Sequence, residues 1–458
     1  MWRFEEWQWT TIAPFFRHGQ RKDVQHLELQ DQAALPFVQD SRFTANKSAY
    51  QRLEFEGGFS NVFKVDIHPD HHDFFESTVP GRSFAIKCLL SRDQAEFKRE
   101  VDTLKKFSDD SHPHLVSLLA TYEQFGKFYL IFPWAEADLQ GYWKMNPFST
   151  MDREGALWLA EQCSGIAHGL TKIHCYETMR RTNSMGPEPS MKSSTRPADE
   201  WLRFRKQLFG RHGDIKPENI LWYRDPNNKD ERGVLKISDF GLTEFSTRHS
   251  QCYKRNSHIA HSPSYRPPEC DLEGAVVGQS YDIWTLGCLY LELITWQLGG
   301  AALLRTFRQR RTIRDPMQLM STDTFFEIVR CERTNTVGSM VKREVTDFVL
   351  GLHAHPECSE YFHDFLDLIM GQMLVVKSPN PSEVRRMNIE AIYPKLLNML
   401  NKCKKNVEYA GASAPWPRRI DDSKKMEEAV EANVTGVSAE ILGQQTLRLH
   451  GGKTITRA

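Results

Sequence analysis

Residues 210–221 read GRHGDIKPENIL, and within them Asp214, Lys216 and Asn219 stand at the spacing of a phosphoryl-transfer site. Two further stretches belong beside it. Lys87 lies in SFAIK, with Glu100 thirteen residues on in FKREVDTL, and Asp239 opens the tripeptide DFG after the apolar run VLKIS. A lone lysine on a strand or a lone glutamate on a helix is ordinarily solvated, and a lone DFG is ordinarily a turn. Their occurrence together, in this chain order, is what points to chemistry. The residue before Asp214 is Gly213, where most enzymes of that kind carry arginine. The sequence therefore raises the question of what sets the activity of the site.

The elements that must hold these groups can be read from local pattern. NVFKVDI and SFAIKCLL are short β-branched and aromatic runs separated by HPDHHDFFESTVPGR, which has loop composition. RDQAEFKREVDTLKKF spaces Phe97, Val101, Leu104 and Phe107 as one helical face, and Glu100 falls next to that face, able to point inward. HLVSLLATYE and KFYLIFPW predict two more strands, and helices dominate from REGALWLAEQCSGIAHGLTKIH onward. Strands with one inserted helix, followed by a helical remainder, predict an α+β fold of two lobes. The expected division is an irregular N-terminal extension at 1–45, a small antiparallel lobe at 46–135, a larger mostly helical lobe at 136–400 and a mobile tail at 401–458. Residues 178–199 read as a flexible insertion, and the polar loop 224–233 as a lengthened hairpin between two short strands.

Taken in chain order, these residues match the signature set of the protein kinases, and over roughly residues 50–395 the chain resembles the eukaryotic-type protein kinases. Its wider texture (FAIK, HPHLVSLLATYE, LIFPWAEADLQGYW) resembles kinase-like proteins abundant in filamentous fungi. The resemblance implies ATP and Mg²⁺ as cofactors. Lys87, oriented by Glu100, would hold the α- and β-phosphates. Asp239 would bind the Mg²⁺ bridging the β- and γ-phosphates, and Asn219 a second Mg²⁺. Asp214 would accept or align the proton of the attacking hydroxyl, while Lys216 neutralises charge on the transferred group. A lysine two residues after the aspartate resembles the serine/threonine kinases, which implies a protein substrate with a Ser or Thr acceptor. FEGGFSNVFKV occupies the place of the glycine-rich loop; aligned on Val62, its three glycine positions hold Phe55, Gly57 and Ser60. Phe132 would back the adenine pocket beside Ala85, and the backbone of Pro133 to Ala135 would contact adenine, Pro133 through its carbonyl alone. Downstream, Ser262 would bridge the catalytic aspartate and lysine. Glu269 would pair with Arg386 or its neighbour Arg385, and Asp282 would tie the backbone of the catalytic loop.

In regulated kinases the arginine before the catalytic aspartate pairs with a phosphate on the activation segment. Gly213 cannot, so the resemblance implies a kinase that lacks this switch, with its segment (239–269) ordered by packing. Ser246, Thr247, Ser250 and Ser257 could still be phosphorylated for partner recognition. One rival is a pseudokinase scaffold, favoured by Phe55 and Ser60. Another keeps the fold but takes a small-molecule acceptor, against which the Ser262-to-Glu269 segment and DIWTLGC speak.

Length and composition bound the rest. The 458 residues suffice for two or three domain-sized units, and 59 basic against 59 acidic residues give no global pull toward nucleic acid or an anionic membrane. Nine scattered cysteines without a CxxC pair read as reduced thiols. No signal peptide is expected, and IWTLGCLYLELITW is read as a buried helix, shorter than a bilayer span. Cytoplasm is the expected location, with nuclear access open; oligomeric state is not legible. The cluster at His68, His71 and His72 could suggest a metal but is read as a solvated loop. The basic run at 305–315 is read as a solvated helix face or a dock for an acidic partner.

Overall fold

The computed structural model describes residues 8–9, 11–19, 23–42, 54–56, 60–74, 83–91, 93–108, 112–150, 152–179, 205–224, 232–246, 263–271, 277–314, 321–331, 336–376, 386–414, 435–437, 447–448 and 454–455. The fold is α+β and divides into two compact units, residues 1–145 with 217–241, and residues 146–216 with 242–458.

The first unit is built on strands β1 (Gln25–Glu28), β2 (Phe37–Asp40), β3 (Glu54–Glu56), β4 (Ser60–Ile67), β5 (Ser83–Leu89), β6 (Ala120–Gln124) and β7 (Lys127–Pro133). They form one sheet in the order β1-β6-β7-β5-β4-β2, with β3 on β4. All pairs are antiparallel except β1 with β6. In β5 the alternation of a pleated strand sends Phe84, Ile86 and Cys88 into the core, where Ile86 faces Phe63 and Ile131 across the ladders. Ala85 and Lys87 are thereby turned to the opposite face, and Val62 lies directly across from Lys87.

Helix α1 (Gln94–Ser108) covers that second face. Asp93 starts it, its Oδ1 accepting the Ala95 N–H at 2.8 Å. Phe97, Val101, Leu104 and Phe107 are all buried, as the spacing predicted, and Phe97 stacks on Phe128 with ring centroids 4.2 Å apart. A second, three-stranded sheet joins Ala137–Asp138, Ile220–Tyr223 and Val234–Ile237. The strands flanking the polar loop are antiparallel neighbours, so the lengthened hairpin is present; residues 225–231 of its loop lie outside the described residues.

Three expectations are corrected here. The N-terminal stretch is not an irregular extension: β1 and β2 are strands of the sheet, and Phe16 is fully buried against Tyr122. Only residues 120–123 of HLVSLLATYE lie in a strand, β6. His114 and Val116 instead exchange backbone hydrogen bonds with Ile237, which draws that segment off the sheet. The expected tail is structured at its start. Helices Ile389–Lys405 and Val407–Gly411 pass the 400 boundary, and Thr435–Val437 pairs with Thr336–Val341. Of the predicted insertion, residues 180–199 lie outside the described residues, as does most of the tail beyond 414.

The second unit is mainly helical. Arg153–His174 is capped by Asp152, whose Oδ1 accepts the Gly155 N–H at 2.6 Å. At its centre lies Ser280–Arg311, a run of 32 residues broken at Gly299–Gly300, where Gly300 takes φ +64°. Among the described residues this one helix is long and apolar enough to cross a membrane by length and composition, yet 78% of its apolar window is buried inside the protein. It is longer than the sequence suggested, and its burial marks it as a core helix. The break matters for charge. In a straight helix Glu292 and Arg308 would be about 24 Å apart, whereas here their side chains meet at 2.7 Å. Arg308 and Arg311 both turn onto the wholly buried Glu292, which corrects the solvated-face reading for these two, while Arg305 and Arg310 are exposed as it expected.

Candidate active site

In the first unit, Lys87 is delivered by β5 and Glu100 by α1. Their side chains meet at 2.7 Å, Nζ to Oε1, and Nζ also lies 3.0 Å from Asp239 Oδ1. Burial by itself would lower the Lys87 pKa; Asp239 and then Glu100 outweigh it, so the net direction is up and the ammonium stays charged. Asp239 is the most open of the three, with 47% of its side chain exposed. Its backbone takes φ +58°, a left-handed conformation that aspartate tolerates better than most residues. The preceding residue is fixed by Asn219, whose carbonyl oxygen accepts both the N–H (2.9 Å) and the hydroxyl (3.0 Å) of Ser238. Asn219 ends the short turn Pro217–Asn219 and is buried.

Ala85 and Val62 share the Lys87 face, Val62 directly across from Lys87 and Lys64 across from Ala85. The Pro133 carbonyl accepts the Tyr223 hydroxyl at 3.3 Å, so the atom assigned to adenine already has one partner; Ala135 is half-buried just beyond. Gly57 lies outside the described residues, while Phe55 pairs with Val62 in the ladder. A half-exposed carboxylate at Asp239 and the amide oxygen of Asn219 are hard oxygen donors of the type Mg²⁺ takes. An anchored ammonium beside them suits polyphosphate. The donor set thus fits Mg-ATP.

In the second unit, Asp214 and Lys216 lie on the loop after strand Arg205–Arg211. Asp214 Oδ2 is 2.7 Å from Lys216 Nζ, and the carboxylate is 9% exposed. The loop is pinned by Asp282, at the start of the core helix. Its Oδ2 accepts the His212 N–H at 2.7 Å and lies 2.8 Å from His174 Nε2, and its Oδ1 accepts the Gly213 N–H at 2.8 Å. Burial would raise the Asp282 pKa, but His174, then His212 and the Gly213 N–H, hold it below the ordinary aspartate value. Gly213 adopts φ +84°, and a Cβ built there would sit 3.2 Å from the Leu242 carbonyl oxygen. The glycine is demanded by the backbone, quite apart from the arginine it displaces.

Arg386, one of the two arginines left open by sequence, is the partner of Glu269. The pair is bidentate at 2.8 and 3.1 Å, and Arg386 also donates to the carbonyls of Val375 and Ser280. Ser262 lies outside the described residues, as do residues 247–262 generally. Sequence reasoning missed the Tyr265–Glu292 contact (2.8 Å), the two arginines on Glu292, the His174–Asp282 contact and the cross-strand pair Arg211–Glu244. The histidine cluster is structural in character: His68 accepts the Asp70 N–H, and His72 stacks on Phe74 at 5.2 Å.

Comparison with known proteins agrees with this geometry. The family model for the protein kinase domain matches residues 204–370, which include Asp214, Asn219, Asp239, Glu269 and Asp282. These matches support the eukaryotic protein kinase superfamily as the chain's kin in sequence over that region. Among similar curated proteins, cyclin-dependent kinase-like 4 of Homo sapiens is 26% identical over 247 residues, 53% of this chain and 49% of the relative. Its Mus musculus counterpart is 25% identical over 244 residues, covering 53% and 55%. Cyclin-dependent kinase 7 of Xenopus laevis is 25% identical over 253 residues, covering 54% and 56%. This kinase-domain chain thus spans about half the length of the curated relatives it matches. The narrower likeness to fungal proteins rests on sequence texture.

Proposed function

We propose that this chain is an ATP-dependent protein serine/threonine kinase that needs no arginine before its catalytic aspartate. The observation that carries the reading is Lys87, held between Glu100 at 2.7 Å and Asp239 at 3.0 Å: a half-buried, charged ammonium next to a half-exposed carboxylate. Bound Mg-ATP would supply the γ-phosphoryl group and the cation charge that screens it. Lys87 would orient the α- and β-phosphates, and Asp239 and Asn219 would hold the metal. Asp214 would align the acceptor hydroxyl and take its proton, with Lys216, already 2.7 Å from Asp214, turning to the transferred group. Lysine at that place supports Ser or Thr acceptors on a protein substrate.

A second reading, a pseudokinase that binds nucleotide without turnover, draws on Phe55 and Ser60 at two of the three glycine positions, where side chains would keep backbone N–H groups from the phosphates. The test is γ-phosphate transfer from labelled Mg-ATP to the chain itself and to a generic basic protein, beside Asp214→Asn. Transfer lost in the variant supports the kinase. Mg-ATP binding with no transfer from either would overturn it in favour of the pseudokinase.

A further inference from the structure

Strand Arg205–Arg211 leads straight into the catalytic loop, and its last residue is a buried cation. Arg211 is 7% exposed; its Nη2 donates to Glu244 Oε2 at 3.1 Å, its guanidinium carbon lies 5.7 Å from the centre of the Tyr281 ring, and its Nη1 is buried with no hydrogen-bond partner. Among the described residues Glu244 is its only carboxylate partner.

Glu244 is not on the loop. It stands in Glu244–Ser246, the strand that follows the DFG tripeptide, and it is the direct cross-strand neighbour of Arg211 in an antiparallel ladder. Cross-strand neighbours project to one face, which places the two charges together whenever this ladder is formed. The remaining groups about the end of the strand are spoken for by other partners. Gln279 Nε2 donates to the Gly210 and His174 carbonyls, and Asp282 receives the N–H groups of His212 and Gly213.

A buried guanidinium with one counter-ion is stable only while that counter-ion stays in place. Gly213 offers no side chain through which a phosphate could act on the loop. We propose that Arg211 and Glu244 form a built-in positioning clamp, which orders the start of the activation segment against the catalytic loop and makes transfer independent of phosphorylation of that segment. The clamp rests on the kinase reading and replaces the packing expected from sequence with a named ion pair. Both residues are positioning residues: neither is assigned to substrate, metal or nucleotide.

The test compares the dephosphorylated full chain with Glu244→Gln, Arg211→Lys and the exchange Arg211→Glu/Glu244→Arg. Dephosphorylated wild type should keep its full rate. Glu244→Gln should lower kcat about tenfold with the KM for ATP unchanged. Arg211→Lys, which keeps the charge, should retain more activity than Glu244→Gln, and the exchange should recover most of the loss. Amide hydrogen exchange at residues 244–246 provides a readout that needs no turnover. It should be faster in Glu244→Gln by about tenfold and return toward wild type in the exchange variant. Loss of transfer in every form, with slowed exchange still dependent on the pair, would sink the kinase reading and keep the clamp's structural half. Abolished transfer on phosphatase treatment of wild type, or unchanged rate and exchange in Glu244→Gln, would overturn the clamp.

Discussion

Gly213 donates its backbone N–H to Asp282 Oδ1 at 2.8 Å while holding φ +84°. The two facts meet at one point of the loop: the consecutive amides 212 and 213 converge on one carboxylate, and the left-handed turn at Gly213 redirects the chain directly after them. A side chain at 213 meets both the conformational penalty and the Leu242 carbonyl oxygen, 3.2 Å from where its Cβ would be. Gly213→Ala is therefore expected to lower stability by about 1–2 kcal/mol, and Gly213→Arg by at least as much. Urea midpoints at constant slope would show this. A Gly213→Arg variant as stable as wild type would mean that the loop can relax without its glycine.

Acid sensitivity follows from Asp282. Its folded pKa is depressed, so its contribution to stability is present above the ordinary aspartate value of 3.8 and is lost as pH falls through the lower, folded value. Glu292 behaves in the same sense from an ordinary 4.5, burial raising its pKa and Arg311 and then Arg308 bringing it below. Asp282→Asn keeps one acceptor oxygen; even placed at Oδ2, where it serves His212 and His174, it turns an amide NH2 toward the Gly213 N–H. The variant should be less stable by about 2–4 kcal/mol at neutral pH. The gap to wild type should narrow as pH is taken below 4, measured by urea unfolding across pH. A gap that widened in acid would contradict the depressed pKa.

What the sequence made legible was local. The helical spacing of Phe97, Val101 and Leu104 was enough to aim Glu100 at Lys87, and the structure joins them at 2.7 Å. Alternation in SFAIK was enough to separate Lys87 from the core. What stayed hidden depends on partners far along the chain. QHLE at 25–28 is a polar tetrapeptide whose strand character comes only from its register on β6. Arg308 and Arg311 looked solvated because a straight helix would carry them away from Glu292; only the break at Gly299–Gly300 returns them. Arg211 and Glu244 are neighbours through a ladder between strands that no local pattern pairs.

Glu100 offers a test that separates positioning from binding. Removing its charge leaves Lys87 with Asp239 alone, 3.0 Å away, so the ammonium is drawn toward the carboxylate assigned to the metal. Glu100→Gln should reduce kcat by about 10²-fold, while ATP affinity, measured directly by calorimetry, changes less than about tenfold. Equal losses in kcat and affinity would show instead that Glu100 acts by holding the nucleotide.

The pair Glu269–Arg386 makes a prediction about stability alone. Both side chains are nearly sealed, with 5% and 1% exposure, so neither charge can be satisfied by water once its partner is gone. Glu269→Leu leaves a buried guanidinium that still donates to the Val375 and Ser280 carbonyls and lies over the Trp284 ring at 4.9 Å. Arg386→Met leaves a buried carboxylate and also strips those two carbonyls of their donor. Each single change should cost about 3–5 kcal/mol, Arg386→Met the more. The double variant removes both charges but restores neither carbonyl's hydrogen bond, so it should recover only part of the loss. Chemical unfolding of all four proteins gives the coupling directly. A double variant whose loss equals the sum of the singles would mean that the two charges do not stabilise one another, despite contacts of 2.8 and 3.1 Å.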